Sequence, residues 1–115
     1  MDEIEPKENN PSSGKPKSDP SMTLQQAINF GEYDPKVLSN FAEWHTLSTH
    51  IQWQMIRKAL ENRREQLITQ YAELNNVLDF SKKPHIMKAC KNVIKQLKKL
   101  EEDREILYVY YSGKI

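Results

Sequence analysis

Residues 82–100 read KKPHIMKACKNVIKQLKKL and hold seven lysines and no acid. Lys88, Lys91, Lys95 and Lys98 follow one another in steps of three, four and three, a spacing that brings them to one side of a helix. Lys99 joins that side, and Lys82 and Lys83 stand at the head of the run. A row of ammonium groups attracts anions. Three partners suit it: bulk water, the phosphate backbone of a nucleic acid, or an acidic protein surface, including the acidic end of another copy of the chain. No arginine and no aromatic residue lies among these lysines, so reading of bases is not indicated. Any nucleic-acid binding, to RNA for example, is expected to be non-specific and salt-sensitive.

The charge sorting along this segment is unusual. Residues 66–99 balance seven lysines against Glu73 and Asp79, while Glu101, Glu102, Asp103 and Glu105 crowd the stretch that follows. The helix macrodipole favours the reverse order, acids first and bases last. Each misplaced charge costs at most about 0.3–1 kcal/mol, so the order is tolerable, but helix stability does not account for it.

A second basic group, Arg57, Lys58, Arg63 and Arg64, is interleaved with acids. These residues are expected to pair with Glu61 and Glu65 on their own helix and with Glu101 and Asp103 across a hairpin. His45 and His50 are five residues apart, on different helix faces, and a zinc site wants closer spacing with cysteine or acid partners. Cys90 falls on an apolar stripe and reads as a small buried hydrophobe with no base beside it. No phosphate-loop, dinucleotide-binding, metalloprotease or nucleophile-elbow motif is present. The expectation is a protein without catalytic activity, cofactor, metal or small-molecule substrate.

The elements that carry these residues are legible from periodicity. Of six prolines, four fall at 6, 11, 16 and 20, in a segment with no aromatic residue. Residues 1–22 are therefore expected to stay unfolded, and they contain no apolar stretch of the secretory kind. From residue 23 the pattern changes. Thr23 and Gln26 have capping-box spacing, Gly31 is a stop, and Asp34-Pro35 opens another short helix through Val37, Leu38 and Phe41. Asn40 and Glu43 suggest one more short helix over 40–47.

Residues 48–78 contain neither glycine nor proline. Trp53, Ile56, Leu60, Leu67, Tyr71, Leu74 and Leu78 share one stripe, interrupted by Arg64. Leu47, Ile51 and Met55 lie on the opposite side, which is expected to receive the short N-terminal helices. After a connection over 79–84, capped by Asp79 or Ser81, a heptad stripe runs through Ile86, Cys90, Val93, Leu97, Leu100, Arg104, Leu107 and Tyr111. A short link between long helices implies antiparallel neighbours. Folding about residue 82 sets Leu78 near Ile86, Leu74 near Cys90, Leu67 near Leu97 and Leu60 near Arg104. The aromatic residues Phe41, Trp44, Trp53, Tyr108, Tyr110 and Tyr111 then gather at the open end. The ILYVYYS segment has strand propensity, but helix that frays near Ser112-Gly113 is the favoured reading.

The sequence thus specifies an all-α protein: a long antiparallel two-helix hairpin with short N-terminal helices packed at its open end. Its parts are a tail over 1–22, short helices over 23–47, the hairpin over 48–111 and a frayed terminus over 112–115. No run of 18 apolar residues exists to cross a membrane. A single cysteine suits a reducing, cytoplasmic setting. The expected role is protein–protein interaction or assembly, including coiled-coil-like self-pairing into a homodimer. The alternative is a nucleic-acid-binding accessory protein acting through Lys82, Lys83, Lys88, Lys91, Lys95, Lys98 and Lys99.

Overall fold

A computed structural model describes residues 22–114. The segment read above as an unfolded tail lies outside the described residues except for Met22, which packs against the core. Ile115, assigned above to the frayed terminus, is also outside. The described residues are helical with no strand: α1 (Leu24–Asn29), α2 (Pro35–Leu38), a 3₁₀ turn (Ala42–Thr46), α3 (Thr49–Asn75), a second 3₁₀ turn (Phe80–Lys82) and α4 (Pro84–Ser112).

Each short helix is fixed by local chemistry. Gln26 N–H donates to Thr23 Oγ1 at 3.1 Å, and Thr23 N–H donates to Gln26 Oε1 at 2.9 Å, a complete capping box. At the far end Gly31 N–H donates to the Ile28 carbonyl and Glu32 N–H to the Ala27 carbonyl, the Schellman pairing. That turn puts Gly31 at φ +88°, where a side chain is strained. Glycine is needed here for a second reason: a Cβ would sit 3.1 Å from the Arg63 backbone on α3. Asp34 accepts from Lys36 N–H at 3.0 Å and starts α2 with Pro35 at its first position.

The two long helices lie antiparallel in the register read from the stripes. Trp53 stacks on Tyr111, Arg64 meets Glu101, and Cys90 Sγ donates to Asn75 Oδ1 at 3.6 Å. All three pairs mirror each other about residue 82. Ile56, Leu60 and Leu67 of α3 and Cys90, Val93, Leu100 and Tyr111 of α4 are buried along the seam. α4 remains helical through Ser112, so the ILYVYYS segment is helix rather than strand.

The N-terminal layer covers one side of this hairpin. Leu24, Ala27, Ile28, Leu38 and Trp44 are buried in the common core. Asn62, Arg63 and Gln66 of α3 donate to the carbonyls of Ile28, Gly31 and Phe30 at 3.0, 3.3 and 3.0 Å. These carbonyls lie at the end of α1, and the long helix supplies each with a side-chain donor, the Ile28 carbonyl accepting from Gly31 N–H as well.

Five local expectations need correction. First, α3 ends at Asn75 rather than residue 78, because the chain turns through Asp79 at φ +54° and a 3₁₀ turn. Leu78 is therefore 79% exposed and does not reach the core beside Ile86. Second, neither Asp79 nor Ser81 caps α4: its N-cap is Lys83, without a side-chain bond, followed by Pro84. Third, Asn40 and Glu43 form no capping pair. Asn40 donates backward from its side chain to the Lys36 and Val37 carbonyls, which also accept from Ser39 Oγ and Asn40 N–H respectively, and the next turn is capped by Phe41 without a side-chain bond. Fourth, the side of α3 that carries Leu47, Ile51 and Met55 does receive the N-terminal layer and continues through Ala59, Asn62 and Gln66, with Leu47 and Met55 half-buried, but Ile51 itself is exposed. Fifth, Arg63 donates to a carbonyl rather than pairing with an acid, since it faces the end of α1.

Candidate interaction surfaces

The structure separates the seven candidate lysines. Lys88, Lys91, Lys95 and Lys98 are exposed on α4, and no ion pair among the described residues involves them. Lys88, Lys91 and Lys95 line a shallow groove of about 480 Å³ with His85 and Asn92. Lys95 also lines a larger open groove of about 840 Å³, where Lys99, Lys36 and Arg63 join it over an apolar floor of Leu67, Leu100 and Leu107. Lys82 and Lys83 lie in the connection and line neither groove; Lys82 is exposed and Lys83 is half-buried.

Lys99 is committed elsewhere. Its ammonium donates to Asp103 Oδ1 at 2.7 Å, one turn along α4. Tyr33 O–H donates to the other carboxylate oxygen, Oδ2, also at 2.7 Å. One carboxylate thus ties the N-terminal layer to α4 and holds a lysine of the basic face. Desolvation by itself would raise the Asp103 pKa, but the hydrogen bonds from Lys99 and Tyr33, with the Lys99 charge, bring it below the ordinary value. The same contact raises the Lys99 pKa. Burial first, and then the bond to Asp103, push the Tyr33 phenol well above its usual range.

Asp103 therefore pairs at i, i+4 spacing with Lys99 rather than with the basic group expected across the hairpin, and that spacing is the sequence signal for it. Nothing local marks Tyr33, which lies 70 positions from Asp103 along the chain. The carbonyl-binding roles of Asn62, Arg63 and Gln66 likewise have no sequence signature.

On the opposite side of the hairpin no N-terminal layer is present among the described residues. Here Trp53, Leu60, Leu100 and Tyr108 line a groove of about 410 Å³ between α3 and α4. Arg57, Glu61 and Arg64 border it on one helix, and Glu101, Arg104 and Glu105 on the other. Glu101 meets Arg64 and Arg104, each at 3.7 Å. The arginines that interrupt the two apolar stripes therefore converge on one acid at the surface. Helical spacing carries this side onward to Ile68, one turn beyond Arg64, and to Ile94, two turns before Glu101. Both are exposed, at 42% and 49%.

The histidines do not converge. His45 Nε2 lies 2.6 Å from the Ser39 carbonyl, His50 Nε2 contacts Gln54 at 3.1 Å, and His85 lies on the lysine face. Among the described residues no three metal-binding side chains come together, and no helix is long and apolar enough to cross a membrane. No family model, no curated protein and no solved structure matches the chain.

Proposed function

We propose that this chain is a non-catalytic assembly module of the cytoplasm, which pairs with a second copy through the uncovered side of its hairpin. The observation that carries this reading is the asymmetry of cover: the N-terminal layer occupies one side of α3 and α4, while the other side presents apolar residues between charges of both signs. A two-fold pairing requires a self-complementary surface. Alternating Arg57, Glu61 and Arg64 on one helix and Glu101, Arg104 and Glu105 on the other supply both partners for each charge. Trp53 and Tyr108 are the residue types that anchor interfaces. Two hairpins joined on this side make a coiled-coil-like four-helix bundle, a common way for such a hairpin to bury its second side. The lone Cys90, buried and without a disulfide partner, suits a reducing compartment.

Light scattering on the full chain over a range of concentrations tests the reading. The expected result is a dimer that persists at high salt. Ile94→Glu combined with Tyr108→Glu should convert it to a monomer with an unchanged circular dichroism spectrum, because both side chains are exposed within the protomer. A chain that remains monomeric at the highest concentration reached, or a dimer indifferent to the double variant, would overturn it.

A further inference from the structure

We infer that the outer face of α4 is a docking surface for the phosphate backbone of B-form duplex DNA, with Lys88, Lys91, Lys95 and Lys98 as its contacts. This face is distinct from the pairing side proposed above. At about 100° per residue, Lys88 and Lys95 form one row and Lys91 and Lys98 another, roughly 60° around the helix. Within each row the lysines are two helical turns apart, about 10 Å. All four are exposed, and among the described residues none is held by an acid. Among the described residues, those of the N-terminal layer share a groove with this helix from Lys95 onward, and none of them lines the groove over residues 85–95.

Four like charges at helical neighbour spacing repel one another. Among the described residues no ion pair compensates that repulsion, although Lys99 shows that an acid one turn away does so readily. A polyanion would relieve it.

The form of the anion follows from shape and from what lies on this face. A helix about 10–12 Å across fits the B-form major groove, about 12 Å wide, with one lysine row turned to each strand. The major groove of A-form RNA is too deep and narrow for this. A single strand would need stacking aromatics, and none lies among the four lysines. Insertion into a bilayer would need large apolar side chains on the same face, and the exposed Met87 and Ile94 flank it instead. In the smaller groove no arginine accompanies the lysines and Asn92 is the one amide beside them, so the contact is to backbone and sequence preference is weak. The acids at Glu101, Glu102 and Glu105 limit the contact to the first half of the helix.

Fluorescence anisotropy with the full chain and a short labelled duplex of mixed sequence, over a salt series, tests the inference. Four phosphate contacts give a slope of log K against log[salt] of about −3.6, on the order of a hundredfold loss between 50 and 200 mM salt. Lys88→Ala, Lys91→Ala, Lys95→Ala and Lys98→Ala should each reduce the magnitude of the slope by about one. Lys99→Ala should leave the slope unchanged, because its ammonium is bonded to Asp103. Circular dichroism of each variant confirms that the helix persists. The inference is overturned by no binding at roughly 50 mM salt. It is overturned equally if an RNA duplex, a single strand or polyglutamate binds as tightly as duplex DNA, or if Lys99→Ala costs as much as Lys95→Ala.

Discussion

The indole of Trp53, near the start of α3, stacks on the ring of Tyr111 in the last turn of α4, with centroids 5.3 Å apart and planes inclined by 13°. Tyr110 meets Tyr111 edge-on at 5.0 Å, and Tyr108 lies 6.3 Å from Trp53 on the uncovered side. This cluster closes the open end of the hairpin. Tyr111 is its buried member, and burial raises the pKa of its phenol. Tyr111→Ala should therefore lower unfolding free energy by about 3–5 kcal/mol, as truncation of a buried aromatic does. Urea unfolding followed by circular dichroism measures this. Tyr110→Ala, at an exposed position, should cost clearly less. Equal losses would mean that the stack does not hold the two helices together.

Gly31 and Gly113 make a matched pair of tests. Gly31 has a positive φ and lies against the Arg63 backbone, whereas Gly113 has φ −74° and would give a Cβ only ordinary contacts. Gly31→Ala should destabilise by about 1–3 kcal/mol through backbone strain alone, and by more if α1 must move off α3. Gly113→Ala should change stability by less than about 0.5 kcal/mol. Thermal melts of the two variants give the comparison.

The Tyr33–Asp103–Lys99 contact predicts two pH edges. The Asp103 pKa is lowered in the folded chain, so its contribution is present above the unfolded aspartate pKa, about 4, and is lost as pH falls through the folded value. The Tyr33 and Lys99 pKa values are raised, so their contributions are present below their unfolded values, about 10, and are lost as pH rises beyond. Asp103→Asn should flatten the acid edge of a plot of stability against pH, and Tyr33→Phe should flatten part of the alkaline edge. Denaturant midpoints at several pH values check both. Unaltered edges would show that this contact is not formed in solution.

Leu78 and Leu60 belong to the same apolar stripe but not to the same environment. Leu60 is buried and Leu78 is almost fully solvent-exposed. Leu60→Ala should cost about 2–5 kcal/mol, while Leu78→Ala should stay within about 0.5 kcal/mol. A large loss at Leu78, measured by chemical denaturation, would mean that α3 continues past Asn75 as its periodicity suggests.

These last two residues show where sequence periodicity reaches its limit. A stripe marks which side of a helix turns inward, but not where the helix stops. Asn75 and Asn76 carry the stop, together with the left-handed turn at Asp79. Periodicity alone extends through them because Leu78 continues the spacing.

The caps of α1 and α2, the two long helices and their antiparallel register about residue 82 were legible in the sequence. Each rests on neighbours within one or two turns, or on a repeat long enough to admit a single alignment. It also determined the basic face of α4, since helical spacing suffices to gather those lysines. Tertiary packing alone supplies the polar ties of the covered side, where Asn62, Arg63 and Gln66 meet carbonyls at the end of α1 more than 30 positions earlier in the chain. Tertiary structure likewise brought Tyr33 to Asp103 and, among the described residues, left four lysines unpaired on one face and a mixed-charge side uncovered on another. Polar contacts between distant segments have no repeat to announce them, because their geometry exists only after the apolar stripes have packed.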